Sequence, residues 1–228
     1  RPWPLTRPSA TPITPEEEWR RLQPVLGSLA QVKKPGILFS LDTRNADTAR
    51  KGLGAGIDWI NDVGGFSSAD MIAVVKNSDC KLVMMHSLGV PADKAVTLPE
   101  GADPVEVVNR WAKERIAGLE RQGIAKSRLI FDPGIGFGKT AAQSLALLSG
   151  IGAFHALGVP IFVGHSRKSF LAAVAADRDS ATLAVSLYLA AQGVDYLRVH
   201  DIARHAHMLN VWNDLAHDDR ISAHSHTA

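Results

Sequence analysis

From residue 36 almost to the C-terminus, short β-rich apolar runs alternate with longer helical patterns, and nearly every apolar run ends in a polar side chain. Strands are expected near 36–41, 57–60, 80–85, 128–131, 160–163 and 195–199. Helices are expected near 45–54, 68–77, 103–122, 141–156, 168–191 and 201–215. Near-continuous apolar strands separated by helices call for a parallel sheet covered by helices. The polar endings decide between the two folds of that kind. They are Asp42, Asn61, His86, Asp132, Ser166 and the pair Arg198/His200. In a barrel, the C-terminal strand ends converge on one face, where the βα loops build a site; an open sheet spreads them along an edge. The expected fold is a TIM-type (β/α)8 barrel, incomplete here, with about six recognisable βα units.

An additional helix is expected over about 15–31. Thr14 can cap it, Pro15 suits its first position, and Glu16, Glu17 and Glu18 favour the positive end of its dipole. Because the alternation opens with a helix, the units without a counterpart are the first two. No internal repeat, low-complexity tract or linker divides the chain, so residues 1–228 are expected to form one domain, with 218–228 a frayed polar tail. A net charge of +2 gives no reason to expect nucleic acid or a membrane surface as partner, and no run approaches the roughly 20 apolar residues of a membrane span. Cys80 is the only cysteine, which excludes an intrachain disulfide and fits a reducing, cytoplasmic setting. Within the apolar run 80–85 it is expected as a packed core thiol. The opening Arg1-Pro2-Trp3-Pro4 resembles neither a signal peptide nor a translation start.

The segment Asp132-Pro-Gly-Ile-Gly-Phe-Gly-Lys-Thr140 invites a phosphate-loop reading, but the first glycine of that motif would fall at 133, where Pro133 stands. Nor does Gly134-x-Gly136-x-Gly138 match the dinucleotide fingerprint, which needs two residues before its last glycine. What remains is a glycine-rich turn that lets backbone approach a ligand beside Asp132. Gly164-His-Ser-Arg-Lys-Ser169 brings two cations and two hydroxyls to the expected start of a helix, an arrangement suited to an anion. Arg198 and His200 alternate on one side of a strand end and could bind diphosphate. Taken alone, Arg198 suits a structural Arg–Asp contact equally well. Asp42 and Asn61 could read the donor and acceptor edge of a heterocycle, although Asp42 and Asp62 could equally be caps. His205 and His207 diverge on their helix and are not expected to bind metal.

In content and order these segments resemble the dihydropteroate synthase family. The matching pieces are Thr6-Arg-Pro8, Ser40-Leu-Asp-Thr43, Ile60-Asn-Asp-Val63, Met85-His86, Asp132-Pro-Gly-Ile-Gly-Phe-Gly-Lys139, Ser166-Arg-Lys-Ser169 and Arg198-Val-His-Asp201, spanning about residues 6–215. The resemblance implies condensation of 6-hydroxymethyl-7,8-dihydropterin diphosphate with 4-aminobenzoate, giving dihydropteroate and diphosphate. It implies a pterin pocket of Asp42, Asn61, Asp132 and Lys168, with Asp42, Asp132 and Lys168 carrying the chemistry. Arg198, His200 and Thr6 would hold the diphosphate. Phe137, Ser166 and Lys168 would shape the aminobenzoate site, with Arg7 and Pro8 closing over it. Magnesium on the diphosphate and a homodimer are implied in the same way. The Ser166–Ser169 and Arg198–Asp201 segments speak against a pterin-dependent methyltransferase on a related barrel.

The chain departs from the family at its start, where an opening strand and a loop supplying a magnesium-contacting asparagine are expected. Leu5 stands where the family usually has Ser, and Ser9 where it usually has Gly. A pterin-binding protein with little catalysis is therefore the alternative to an active synthase. An unclosed barrel exposes two strand edges, so self-association or marginal stability is expected. Light scattering and thermal melting check this, and a sharp monomer peak with cooperative, high-temperature melting would overturn it.

Overall fold

The computed structural model describes residues 13–90, 93, 95–173 and 175–216. Thr6, Arg7, Pro8 and the 218–228 tail lie outside the described residues. Among the described residues six parallel strands follow one another in chain order: β1 (Ser40–Asp42), β2 (Trp59–Asp62), β3 (Lys81–Met85), β4 (Leu129–Asp132), β5 (Phe162–Val163) and β6 (Tyr196–Leu197). A single bridge, Phe131 to Ile161, with the Phe131 N–H donating to the Pro160 carbonyl at 2.8 Å, carries the ladder from β4 to β5. Helices connect the strands: α3 (Ala46–Gly54), α4 (Ala69–Lys76), α5 (Pro104–Arg121), α6 (Ala141–Ser149) and α7 (Arg178–Ala191). Before β1 come α1 (Pro15–Gly27) and the single turn α2 (Leu29–Val32), and α8 (Ile202–Ala216) follows β6.

Two contacts show that this sheet curls rather than lying open. Five strand spacings would separate β1 from β6 by about 24 Å in a flat sheet. Instead Arg198, one residue past β6, reaches Asp42 at the end of β1, with Nη2 2.6 Å from Oδ2. At the other end of the strands, Trp59 of β2 and Tyr196 of β6 meet edge to face at 4.9 Å. The described strands thus form most of a (β/α) barrel, open between β1 and β6.

The helix starts follow local chemistry. The Glu17 N–H donates to Thr14 Oγ1 at 3.2 Å, as the α1 cap requires. Thr140 and Gln143 form a reciprocal capping box on α6. Three expected helices are interrupted. The 15–31 helix pauses at Ser28 after Gly27. The 141–156 helix stops at Gly150 and continues as a 3-10 helix, Ile151–Leu157. The 168–191 helix begins as a 3-10 turn, Ser169–Ala173, and α7 starts only where the Asp177 side chain caps the Asp179 N–H. Lys168 therefore does not enter an α-helix N-terminus as its sequence context implies. The first strand begins at Ser40 rather than 36, because Gly36, at φ 81°, turns the chain after Pro35.

Cys80 is a buried free thiol, its Sγ 3.1 Å from Ser78 Oγ. Among the described residues no helix is long and apolar enough to cross a membrane. At the centre of the core Phe131 is fully buried, packed edge-on to Phe154 at 5.1 Å and tilted against Trp111 at 6.5 Å. It also carries the β4–β5 bridge, so Phe131→Ala should cost about 3–5 kcal/mol. Urea unfolding measures this, and a loss below about 1 kcal/mol would contradict the packing described.

Candidate functional site

The mouth of the barrel is built from the loops that follow the strands. At the end of β1 and β2, Asp42 and Asn61 are paired: Asn61 Nδ2 donates to Asp42 Oδ1 at 3.0 Å, while Asp42 Oδ2 takes the Arg198 guanidinium. Parallel register places the two side by side. Asp62, the next residue, serves the loop instead. Its Oδ1 accepts from the Gly64 N–H at 2.7 Å and its Oδ2 from the Phe66 N–H at 2.8 Å. Burial pushes its carboxyl up, and these two bonds oppose the shift. They hold Phe66 at φ 56°, a conformation an aromatic residue rarely adopts.

Asp132 closes β4, is 5% exposed, and accepts from the Gly134 N–H at 2.7 Å. The turn that follows is tightly constrained. Gly134 has φ 67°, and a Cβ there would come within 1.9 Å of the His86 carbonyl oxygen. Lys168, from the loop after β5, reaches over this turn. Its Nζ donates to the Ile135 carbonyl at 2.5 Å and lies 4.6 Å from the centre of the Phe137 ring. Burial pushes Asp132 up, with Lys168, the Gly134 N–H, Arg198 and Lys139 all opposing it. Burial likewise brings Lys168 down to about 8, opposed by the charge of Asp132. Asp132, Lys168 and Phe137 are thus gathered on one side of the mouth.

The remaining wall comes from β5 and β6. Ser166 Oγ lies 2.8 Å from His200 Nδ1 and accepts from the His200 N–H at 3.3 Å, joining the two strand ends. Arg167 turns away. Held at φ 57°, it forms a two-pronged pair with Asp179 of α7, at 2.7 and 3.1 Å. Of the two cations in that segment, only Lys168 faces the site. His165 is wholly buried against α7, its Nε2 2.8 Å from Ser186 Oγ, and burial lowers its pKa to about 4. The loop therefore has two anchors on α7, one on each side of Ser166. His205 is buried with Nδ1 2.6 Å from the Asp201 carbonyl, a packing contact at the start of α8.

One contact of the site escapes the sequence, that between Lys139 and His86. Lys139, 9% exposed, places its Nζ 2.9 Å from His86 Nδ1 and donates to the Phe137 carbonyl at 2.8 Å. Burial brings it down to about 7 and takes His86 down to about 3, with the charge of Lys139 adding to the effect on His86. A neutral His86 with its proton on Nε2 satisfies the contact, because an ammonium has only donors. Lys139 thereby ties the turn after β4 to the end of β3. In the sequence it looked like the lysine of a failed phosphate loop. The available signal was a cation inside a segment of glycines and apolar residues, where a lysine must find partners.

The chain matches the family described as "Pterin binding enzyme" over residues 4–200. It is 39% identical, over 86% of its length, to a probable bifunctional folylpolyglutamate synthase/dihydropteroate synthase of Halobacterium salinarum, and spans 24% of that relative's length. Among solved structures it is similar to the dihydropteroate synthase of Anaplasma phagocytophilum with bound 6-hydroxymethylpterin-monophosphate. The identity there is 37% and the TM-score 0.86, with 92% of this chain and 84% of that one covered. The Xanthomonas albilineans dihydropteroate synthase in complex with 7,8-dihydropteroate is 32% identical at a TM-score of 0.81, covering 90% and 76%.

The lowered pKa of Lys139 has a sign that can be measured. Below about pH 7 folded and unfolded chains both carry its proton, and between about 7 and the ordinary value of 10.5 only the unfolded chain does. Unfolding then takes up a proton, so Lys139 makes stability rise with pH across that window. Melting of the native chain should therefore gain on that of Lys139→Met as the pH is raised from 7 to 9.5. Parallel curves would show that Lys139 titrates normally.

Proposed function

The chain belongs to the pterin-binding enzyme family, and from that premise we propose that it is a dihydropteroate synthase. It joins 6-hydroxymethyl-7,8-dihydropterin diphosphate to 4-aminobenzoate and releases diphosphate. The observation that carries this reading is the buried carboxylate of Asp132, acted on by the charges of Lys168 and Arg198, with Arg198 bound in turn to the Asp42–Asn61 pair. The similar Anaplasma and Xanthomonas enzymes, which hold a pterin monophosphate and dihydropteroate, support it.

In the proposed reaction the C–O bond between the pterin methylene and the diphosphate breaks, and its electron pair leaves with the diphosphate. The amine nitrogen of 4-aminobenzoate forms the new C–N bond and gives up one proton to solvent. Positive charge develops on the pterin as the first bond breaks. The fixed carboxylate of Asp132 stabilises it without reorganising, which is where such groups contribute most, and Asp42 adds a second negative charge at the ring. Asn61, with one amide N–H given to Asp42, offers its second N–H and its unpartnered Oδ1 to the ring edge. Arg198, His200 and Ser166 receive the leaving diphosphate, and Phe137, Ser166 and Lys168 flank the aromatic amine. Thr6, Arg7 and Pro8 complete the assignment from outside the described residues.

Magnesium would accompany the diphosphate as a Lewis acid. Among the described residues no group of three His, Cys, Asp or Glu side chains gathers as a metal site. These residues do not fit a resident metal, and no step above uses one. A homodimer in the cytoplasm completes the proposal, and exposed Val211 and Leu215 on α8 are apolar surface that a second copy could cover.

Diphosphate release by the purified chain should require both substrates. Asp132→Asn should lower turnover at least about 100-fold, the scale of losing one charge stabiliser in a buried site. Near-normal turnover of that variant would sink the assignment. No release from the native chain, with pterin binding retained in calorimetry, would favour a pterin-binding protein with little catalysis.

A further inference from the structure

The Arg198–Asp42 pair joins two groups that the proposed reaction assigns to different parts of one substrate, the guanidinium to the diphosphate and the carboxylate to the pterin ring. They are 156 residues apart in sequence and meet across the opening between β1 and β6, with Nη2 2.6 Å from Oδ2. The other Asp42 oxygen accepts from Asn61 at 3.0 Å. Both oxygens of Asp42 are therefore engaged by the protein itself. Arg198 holds Asp42 with one of its five N–H groups, and its side chain is 53% exposed. Gly164 lies beside its stem, where an added Cβ would only reach van der Waals contact at 3.8 Å, so the arm is not wedged in place.

We propose that Arg198 is a specificity switch: it holds Asp42 until a diphosphate draws the guanidinium away, and this frees the carboxylate for the pterin ring. The inference rests on the synthase reading above and deepens it. An ion pair this exposed is weak, because water screens it and ordering two long side chains costs entropy. A diphosphate offers a guanidinium several acceptors of higher charge and a two-pronged geometry. The Ser166–His200 pair, two residues beyond Arg198, adds polar groups on the same wall. A pterin without phosphate must displace Arg198 from Asp42 unaided, whereas a pterin diphosphate brings the group that removes it. The site therefore prefers phosphorylated pterin by more than its direct contacts to the phosphates.

Such a switch makes the two ligand parts cooperative, and the coupling must be reciprocal. Calorimetric titration of the full chain with 6-methylpterin and with inorganic diphosphate, each alone and each in the presence of the other, measures it. In the native chain each should tighten the other about two- to five-fold, the scale expected when a half-exposed ion pair is removed from the competition. Arg198→Met should abolish the coupling, with 6-methylpterin binding the same whether or not diphosphate is present. Asp42→Asn should bind inorganic diphosphate about two- to five-fold more tightly, because Arg198 no longer has a partner to leave. Simple removal of a negative charge would also tighten diphosphate in that variant, but it would leave no coupling in the native chain. Independent or antagonistic binding in the native chain overturns the switch while leaving the synthase reading intact. If the native chain binds neither 6-methylpterin nor the pterin diphosphate, the synthase reading fails and the switch falls with it.

Discussion

A carboxylate cut off from water at the end of a barrel strand constrains everything around it. Asp132 is almost wholly buried, and burial alone would push it towards its neutral form. An ionised group there needs donors and cations at close range, since isolated charge is very costly in the interior. The chain supplies the Gly134 N–H from the next turn, Lys168 from the loop after β5 and Lys139 from the end of the same turn. Each supplier has its own requirement. Gly134 must be glycine, because its φ and the nearby His86 carbonyl leave no room for a Cβ. Lys139 is itself buried, and its partners are the Phe137 carbonyl and a His86 kept neutral by burial. The ends of β3, β4 and β5 are in this way bound into one electrostatic unit.

The loop that delivers Lys168 shows how such a unit is held in place. Arg167 sits in the left-handed region, which costs a non-glycine residue of order 1 kcal/mol. The surrounding contacts compensate: its guanidinium grips Asp179, its N–H donates to Thr182 Oγ1, and the preceding His165 is locked against Ser186. The strained residue points outward, leaving Ser166 and Lys168 on the site side. Rigid α7 thus fixes a loop that would otherwise have to be ordered by its ligand, and a site ordered in advance binds with a smaller entropic penalty.

How much of this the sequence disclosed depended on whether the signal was local. The six strands, the polar residue at the end of each and the N-terminal cap of α1 are all written in short stretches, through apolar runs, Thr14 and Pro15. The barrel was inferred from convergence of those polar ends, and the curl that brings Asp42 to Arg198 is its physical counterpart. Helix continuity was harder. Residues 168–191 are rich enough in Ala and Leu to look like one helix, yet Asp177 caps α7 and starts it anew at Arg178. The roles of Arg167 and Lys139 depend on partners 12 and 53 residues away, and no periodicity reports such contacts. Asp42, Asn61, Asp132 and Lys168 were legible chiefly through resemblance to a family; residue type alone left Asp42 as plausible a cap as a ligand.

Asp42 and Asp132 carry the same group yet stand in opposite conditions, and the difference bears on how the site works. Asp132 is enclosed, and its compensating charges are fixed in the fold. Asp42 is a third exposed, and its counter-charge is a long, half-exposed arm. The first environment makes a permanent electrostatic feature, present before any ligand arrives. The second makes an interaction that is cheap to break, because a screened ion pair at the surface contributes little to folding. An exposed pair at the entrance can therefore exchange partners during a reaction without threatening the stability of the barrel. A buried pair could not, since removing one partner would strand the other without water. The division between a fixed charge and an exchangeable one follows from the difference in exposure of two carboxylates that both end barrel strands.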